Sequence, residues 1–274
     1  MVWFKKIKNR KKDVTVAPEL RQDGKLRYYV ANLQGFGARA NQEDSFTVMN
    51  ALDERQYDKY GLMFAVCDGM GGMKDGKLAS ETAINSFRSS FTEMNRRGRI
   101  AEQLKESVFI ASEEVKNLLA GDGGSTVVIG IIFHEQLYFA SVGDSFFYIM
   151  RDGKLYRLNT EHNICHKRYL ENIRDGYLEP QECREDSDAS ALSQFLGIPE
   201  LSEIDCSVRS MDLKKGDVLL ACSDGVGGVL EENEILDALR CLSGDDMCCQ
   251  LEQQLIKHDK PNQDNYTALI VQCL

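Results

Sequence analysis

Residues 62–76, "LMFAVCDGMGGMKDG", open as a strand and close as something else. Leu62 through Cys67 form an apolar run of strand length, apolar on both faces. Successive side chains of a strand point to opposite sides, so such a run must be covered on both. Asp68 follows with no spacer, and Gly69, Gly71 and Gly72 fall within the next four positions. A carboxylate at the mouth of a buried strand is costly unless a partner offsets its lost hydration. Glycines beside it let the backbone approach a neighbour that a side chain would exclude.

The pattern recurs along the chain. Asp224-Gly225 follows the run "VLLACS", Asp144 closes "LYFASVGDS", and Asp264 stands just before the apolar run of "NQDNYTALIV". Asp152-Gly153 is different. It joins two alternating runs in "YIMRDGKLYRL" and reads as a two-residue hairpin turn with no chemistry. Any one of Asp68, Asp144, Asp224 and Asp264 alone reads as a turn or cap. Four acids at the ends of buried strands in one sheet system would converge. Carboxylates so crowded repel and raise one another's pKa. A divalent cation removes the difficulty, and oxygen-only donors suit magnesium or manganese. The four histidines, His134, His162, His166 and His258, have no metal-binding spacing, so a zinc centre is not indicated.

Outward from these motifs, strands are predicted in "LRYYVANLQ", "DSFTVMNAL", "STVVIGIIF", "QLYFASVGD", "FFYIMRDGKLYRLN", "DVLLACSDG" and "YTALIVQC". Helical spacing marks "LASETAINSFRSSFTEMN" and "IAEQLKESVFIASEEVKNLLA", the second with a stripe of Ile100, Leu104, Val108, Ala111, Val115 and Leu118. Two further helices are predicted in "ENEILDALRCL" and around "MCCQLEQQLIKH". Short links between strands imply antiparallel pairing, and helices grouped in pairs argue against a doubly wound sheet. The fold expected is α+β, a four-layer α-β-β-α sandwich of two antiparallel sheets flanked by helices.

The chain of 274 residues is 43% hydrophobic, enough for one full core, and has only 4 prolines. It contains no repeat at a solenoid period and no apolar run long enough to span a bilayer. Residues 1–12, "MVWFKKIKNRKK", carry six basic residues and no acid, so the remainder is more acidic than the net charge of −10. So acidic a body does not suit nucleic acid. The predicted division is a basic arm over 1–24 and a single folded domain over 25–274. The arm reads as a solvated tail; the alternative is contact with an anionic membrane surface through its charge, Trp3 and Phe4. The nine cysteines form no metal knuckle, and Cys67, Cys222 and Cys273 sit in strand-like runs. Buried, reduced thiols in a cytoplasmic protein are expected, with Cys248-Cys249 packed in a helix.

The segments "ARANQEDSF", "FAVCDGMGG", "GGSTVVIG", "ASVGDSFFYI", "LLACSDGV" and "QDNYTALIV" stand in an order and spacing that resemble the metal-dependent protein phosphatases of type 2C, in their bacterial branch. The resemblance covers roughly residues 27–273. It implies an α-β-β-α sandwich with a dinuclear metal centre at one end and activity on phosphoserine and phosphothreonine. By resemblance, Asp68 bridges two Mn2+ or Mg2+ ions and the Gly69 carbonyl binds one of them. Asp224 and Asp264 hold one of the two, Glu43 and Asp44 act through ordered waters, and Asp144 serves a weaker third ion. Arg39 matches the arginine that grips the substrate phosphate, a role suited to a planar charged fork. A water shared by two cations loses a proton near neutral pH, and such a hydroxide would attack phosphorus in line. No Cys-x5-Arg loop follows Cys67 or Cys222, so a thiol nucleophile is not expected.

Three positions depart from the family's pattern. Met70 stands where many eukaryotic members carry a histidine, so the leaving group must be protonated by water. Phe146 occupies a place often held by arginine. Residues 164–191, where the family carries a flap, match poorly; positions 171–188 hold seven acids against Arg174 and Arg184, and a solvated loop is expected there. His162, in "EHN", reads as structural rather than catalytic. The partners implied are phosphoproteins made by a serine/threonine kinase, acted on by a monomer. Two alternatives stay open: a non-catalytic phosphoprotein-sensing module, and a metal-dependent phosphoesterase for small molecules.

Overall fold

Leu62–Cys67 (β3) has no exposed residue at all, and its alternation assigns each side chain to one of two cores. Leu62, Phe64 and Val66 face inward, toward Phe147, Leu219, Ala221, Leu269 and Val271 of a second sheet. Met63, Ala65 and Cys67 face outward, onto helical Ala79, Phe87, Leu104 and Val108. A strand apolar on both faces is therefore the inner layer of a sandwich, as expected. The computed structural model describes residues 24–71, 75–176 and 188–274.

One sheet runs in the order β1 (Tyr28–Gly35), β13 (Tyr266–Cys273), β12 (Val218–Cys222), β8 (Phe146–Arg151), β9 (Lys154–Arg157). The other runs β10 (Asp205–Cys206), β7 (Gln136–Val142), β6 (Val127–Phe133), β3, β2 (Ser45–Met49), with β11 (Met211–Asp212) also on β7. A short ribbon pairs β4 (Gly69–Gly71) with β5 (Gly123–Ser125). Neighbouring strands of both sheets are antiparallel. Phe64 fixes the spacing at the centre. Its ring lies 5.9 Å from that of Phe147 and fills the space a Cβ at Gly130 would take, 2.2 Å from Phe64 Cζ.

The helices complete four layers. α2 (Asp75–Glu93) and α3 (Ile100–Leu119) cover the β3 sheet. α6 (Glu232–Leu239) and α7 (Gly244–His258) cover the other, where Ile235, Leu251 and Leu255 meet Leu220 and Ile270. The α3 stripe holds as read except at its end, where Leu118 is exposed and Leu119 is buried instead. Three short pieces were not anticipated: α1 (Glu54–Tyr60), α4 (Ile164–Arg174) and α5 (Asp224–Gly227). α4 corrects the loop expected after residue 164. Asn163 starts it, its side chain accepting from the His166 amide at 2.8 Å, and none of its residues is buried. The turn at Asp152-Gly153 is as read, with φ of 52° and 72°.

The basic arm, with Trp3 and Phe4, lies outside the described residues, as do Gly72 and most of the acidic run 171–188. None of the eight described cysteines is in a disulfide, and Cys67, Cys222, Cys248 and Cys273 are buried.

Candidate active site

Antiparallel order brings the C-terminal ends of β3, β7 and β12 and the N-terminal end of β13 to one edge of the sandwich. Each end delivers an acid. Asp68, Asp144, Asp224 and Asp264 line a single cleft of about 270 Å3, together with Arg39, Glu43, Gly69 and Met70. Seven of the eight residues expected at the site thus line this one cleft. The eighth, Asp44, has no exposure and lies behind them, where Ser223 Oγ donates to its Oδ2 at 2.8 Å.

Hydrogen bonds between distant segments hold these ends. The Asp68 amide donates to Thr126 Oγ1 at 3.1 Å, and its carbonyl accepts from the Thr126 amide at 2.8 Å. Thr126 Oγ1 in turn meets Ser145 Oγ at 2.7 Å, tying the β3 end to the turn after Asp144. Asn265, almost fully buried, fastens the loop that carries Arg39 and Glu43. Its Oδ1 accepts from the Glu43 amide at 2.8 Å, and its Nδ2 donates to the carbonyls of Phe36 and Asn41 at 3.0 and 2.9 Å. Thr126, Ser145, Ser223 and Asn265 were missed in the sequence, although three of them adjoin or lie beside the motif acids in "GDS", "SDG" and "QDN". Gly69 has a packing reason beyond backbone approach to a ligand. A Cβ there would lie 2.0 Å from the Gly76 carbonyl oxygen and 2.8 Å from that of Glu43.

The electrostatics are those of acids forced together. Burial raises the pKa of Asp44 to about 6, with the Asp224 charge adding and the hydrogen bonds from Thr267 and Ser223 opposing. Burial first, then Asp224, raises Asp144 to about 7. Asp68 is pushed well up by burial and by the charges of Asp44, Asp224 and Asp144. Burial also raises Asp224 and Glu43. Arg39 answers part of this charge directly: its Nη2 lies 2.7 Å from Asp264 Oδ2. The absence of a basic residue from the four acidic motifs therefore does not leave Asp264 unpaired. Both partners are well exposed, at 57% and 40%, so the pair contributes little and can part at small cost.

Whether a divalent cation fits can be judged from the oxygens. Asp44 Oδ1 and Asp224 Oδ1 are buried and accept no hydrogen bond. Unsatisfied carboxylate oxygens beside other acids are what a hard cation would satisfy. Among the described residues no three His, Cys, Asp or Glu side chains close on one point as a finished cage. The acids ring the cleft instead, an open arrangement that leaves room for water and substrate.

Two residues weighed as catalysts stand apart. Cys67 is fully buried, and burial pushes its thiol far above the ordinary range, so it is no nucleophile. His162 does not line the cleft; its Nδ1 accepts from the Gly143 amide at 3.2 Å. Phe146, whose consequence the sequence left open, packs under the Arg157 guanidinium at 4.2 Å from its ring centre. The Arg157 charge lowers the pKa of Asp144 against the larger effect of burial.

Residues 30–174 match the model of the family described as protein phosphatase 2C. The chain is 29% identical over 225 residues to the serine/threonine phosphatase Stp of Listeria monocytogenes, covering 76% of this chain and 82% of that protein. Among solved structures it is similar to the Ser-Thr phosphatase MsPP from Mycobacterium smegmatis in complex with cacodylate. The TM-score is 0.70 at 26% identity, over 89% of this chain and 97% of that one. It also shares its fold with the catalytic domain of the serine/threonine phosphatase PstP in complex with 2 manganese ions. That likeness has a TM-score of 0.71 at 21% identity, over 91% of this chain and 99% of that one.

Proposed function

The chain belongs to the protein phosphatase 2C family, and we infer that it is a metal-dependent protein serine/threonine phosphatase. The observation that carries the reading is the convergence of Asp68, Asp144, Asp224 and Asp264 on one cleft with Arg39 at its side. Asp68 with the Gly69 carbonyl, Asp224 and Asp264 would hold two Mn2+ or Mg2+ ions, Glu43 and Asp44 would act through water, and Asp144 would hold a third ion. Such ions supply an acidified water at neutral pH and neutralise phosphoryl oxygens.

The remaining steps fall to side chains. Arg39 exchanges Asp264 for the phosphate of the substrate and orients it, a charge-assisted bond that strengthens as charge shifts onto the phosphoryl oxygens. Asp68 and Asp224 would stay ionised once their charge is balanced, and so remain able to hold the ions while Arg39 orients the phosphate. Met70 lines the cleft without a proton to give, so the departing alkoxide takes its proton from water.

Residues 25–274 act as the catalytic domain, with the segment near 164–191, including α4, as its flap. Among the described residues no helix is long and apolar enough to cross a membrane. A cytoplasmic monomer acting on the products of a serine/threonine kinase fits the acidic body and the lack of a disulfide among the described cysteines.

Hydrolysis of p-nitrophenyl phosphate with added Mn2+, then a panel of phosphoserine, phosphothreonine and phosphotyrosine peptides, tests the reading. Activity should vanish with a chelator and in Asp68→Asn, and phosphotyrosine should be the poor substrate. Full activity in metal-free buffer would overturn the reading.

A further inference from the structure

Gly143 and His162 hold each other twice. The Gly143 amide donates to His162 Nδ1 at 3.2 Å, and the His162 amide donates to the Gly143 carbonyl at 2.9 Å. Gly143 immediately precedes Asp144 and turns with φ of +101°, where a Cβ would lie 2.7 Å from Thr126 Cγ2. The backbone there is left-handed and carries no side chain of its own to fix it. His162 is 8% exposed, and its own carbonyl accepts from the Ser193 amide at 2.9 Å. Leu192, next to Ser193, lines the acidic cleft and bridges to Asn163. One buried ring therefore sits between the turn that presents Asp144 and the segment that returns to the cleft after α4.

We propose that His162 is a positioning residue for the proposed reaction: it clasps Gly143 and thereby fixes the direction of the Asp144 carboxylate into the cleft. An amide can only donate, so Nδ1 is the bare nitrogen and the ring carries its hydrogen on Nε2. Burial, which lowers the pKa of this histidine, agrees with the neutral ring. The inference rests on the reading of Asp144 as a cation ligand, since that role needs the carboxylate held in one direction. Groups that orient ligands without touching the ion typically change metal affinity by about 10–100-fold when lost.

The variants are His162→Leu, which removes the acceptor, and His162→Asn, whose Oδ1 can take the place of Nδ1. If the leucine variant does not fold, His162→Gln replaces it, because its amide reaches only the position of Nε2. Two readouts are taken on the intact chain. Hydrogen exchange of the Gly143 amide, in metal-free protein, reports the clasp itself. A calorimetric Mn2+ titration, with Asp144→Asn as reference, reports its consequence. His162→Leu should speed Gly143 exchange at least about 10-fold and weaken the weakest Mn2+ step by about 10-fold. The tighter steps should persist, and His162→Asn should recover most of both losses. A folded leucine or glutamine variant whose exchange and isotherm match the native protein overturns the proposal, with the cation reading intact if Asp144→Asn alters the isotherm. If Asp144→Asn leaves the isotherm unchanged, the cation reading of Asp144 fails, and the proposal fails with it.

Discussion

At the scale of single residues, the acids announced themselves and their supports did not. Asp68, Asp144, Asp224 and Asp264 are legible because a charge next to a buried strand is expensive and therefore informative. Asn265 and Thr126 are uncharged, and what they do is bond segments far apart in sequence, which no local pattern encodes. Arg39 shows both sides. Its place beside "NQED" was readable, but its resting contact with Asp264 was not. That contact leads to a prediction. Breaking it costs little, so Arg39 should matter for substrate and not for folding. Arg39→Ala should lower kcat/KM on a phosphopeptide by about 10–100-fold, the usual worth of a charged hydrogen bond of roughly 1.5–3 kcal/mol. Its thermal midpoint should stay within about 2 °C of native, as expected for an exposed pair. Steady-state kinetics beside a melting curve checks both, and a variant that melts early with unchanged kcat/KM contradicts the assignment.

Elements differed in legibility according to how much they bury. The long strands and α2, α3, α6 and α7 were readable because each presents a periodic apolar face to a core. α1 buries only Tyr57, and α4 buries nothing, so neither leaves a periodicity to find. β10 and β11 are two residues each, too short for alternation. α5 is a special case, since "SDGVGG" reads as a loop. It exists because Asp224-Gly225 must turn sharply against the entry to β13. A Cβ at Gly225 would lie 1.9 Å from the Asn265 carbonyl oxygen, a backbone atom that cannot swing aside. Gly225→Ala should therefore cost about 1–3 kcal/mol or more, as overpacking of a tight contact does. Because Asn265 anchors the Arg39–Glu43 loop, the same variant should also weaken Mn2+ binding. Gly153→Ala is the control. Its φ of +72° strains any side chain, but a Cβ there meets nothing within 4 Å and it does not line the acidic cleft. Denaturant melts and Mn2+ titrations of the pair decide the matter. Gly153→Ala should lose stability through backbone strain alone and keep Mn2+ binding. A Gly225→Ala variant that melts and binds Mn2+ like the native protein would show that the contact at Gly225 is not tight.

On the scale of the whole molecule, the sandwich acts as a frame that forces acids together, and this should appear in stability against pH. Asp44 and Asp144 ordinarily titrate near 3.8, but in the folded, cation-free chain they do so at about 6 and about 7. Asp68 and Asp224 shift in the same direction. Between those limits the native state holds protons that the unfolded chain has released. The slope of stability against pH is then negative, at up to about 1.4 kcal/mol per pH unit for each such carboxyl. Stability conferred by the neutral acids is complete below about pH 4 and is lost as pH rises through 6 and 7. His162 works the other way, because burial depresses its pKa and its contribution is lost as pH falls. One histidine against four acids does not reverse the sign. Protein treated with a chelator should therefore melt at lower temperature at pH 8 than at pH 5.5, and Asp144→Asn should make that slope shallower. Saturating Mn2+ should raise the melting point most at pH 8, since a ligand at about 100 times its Kd adds roughly 2.7 kcal/mol. A chelator-treated native protein whose melting point rises from pH 5.5 to 8, or a slope that Asp144→Asn leaves untouched, would mean that the sheets do not hold these carboxyls against one another.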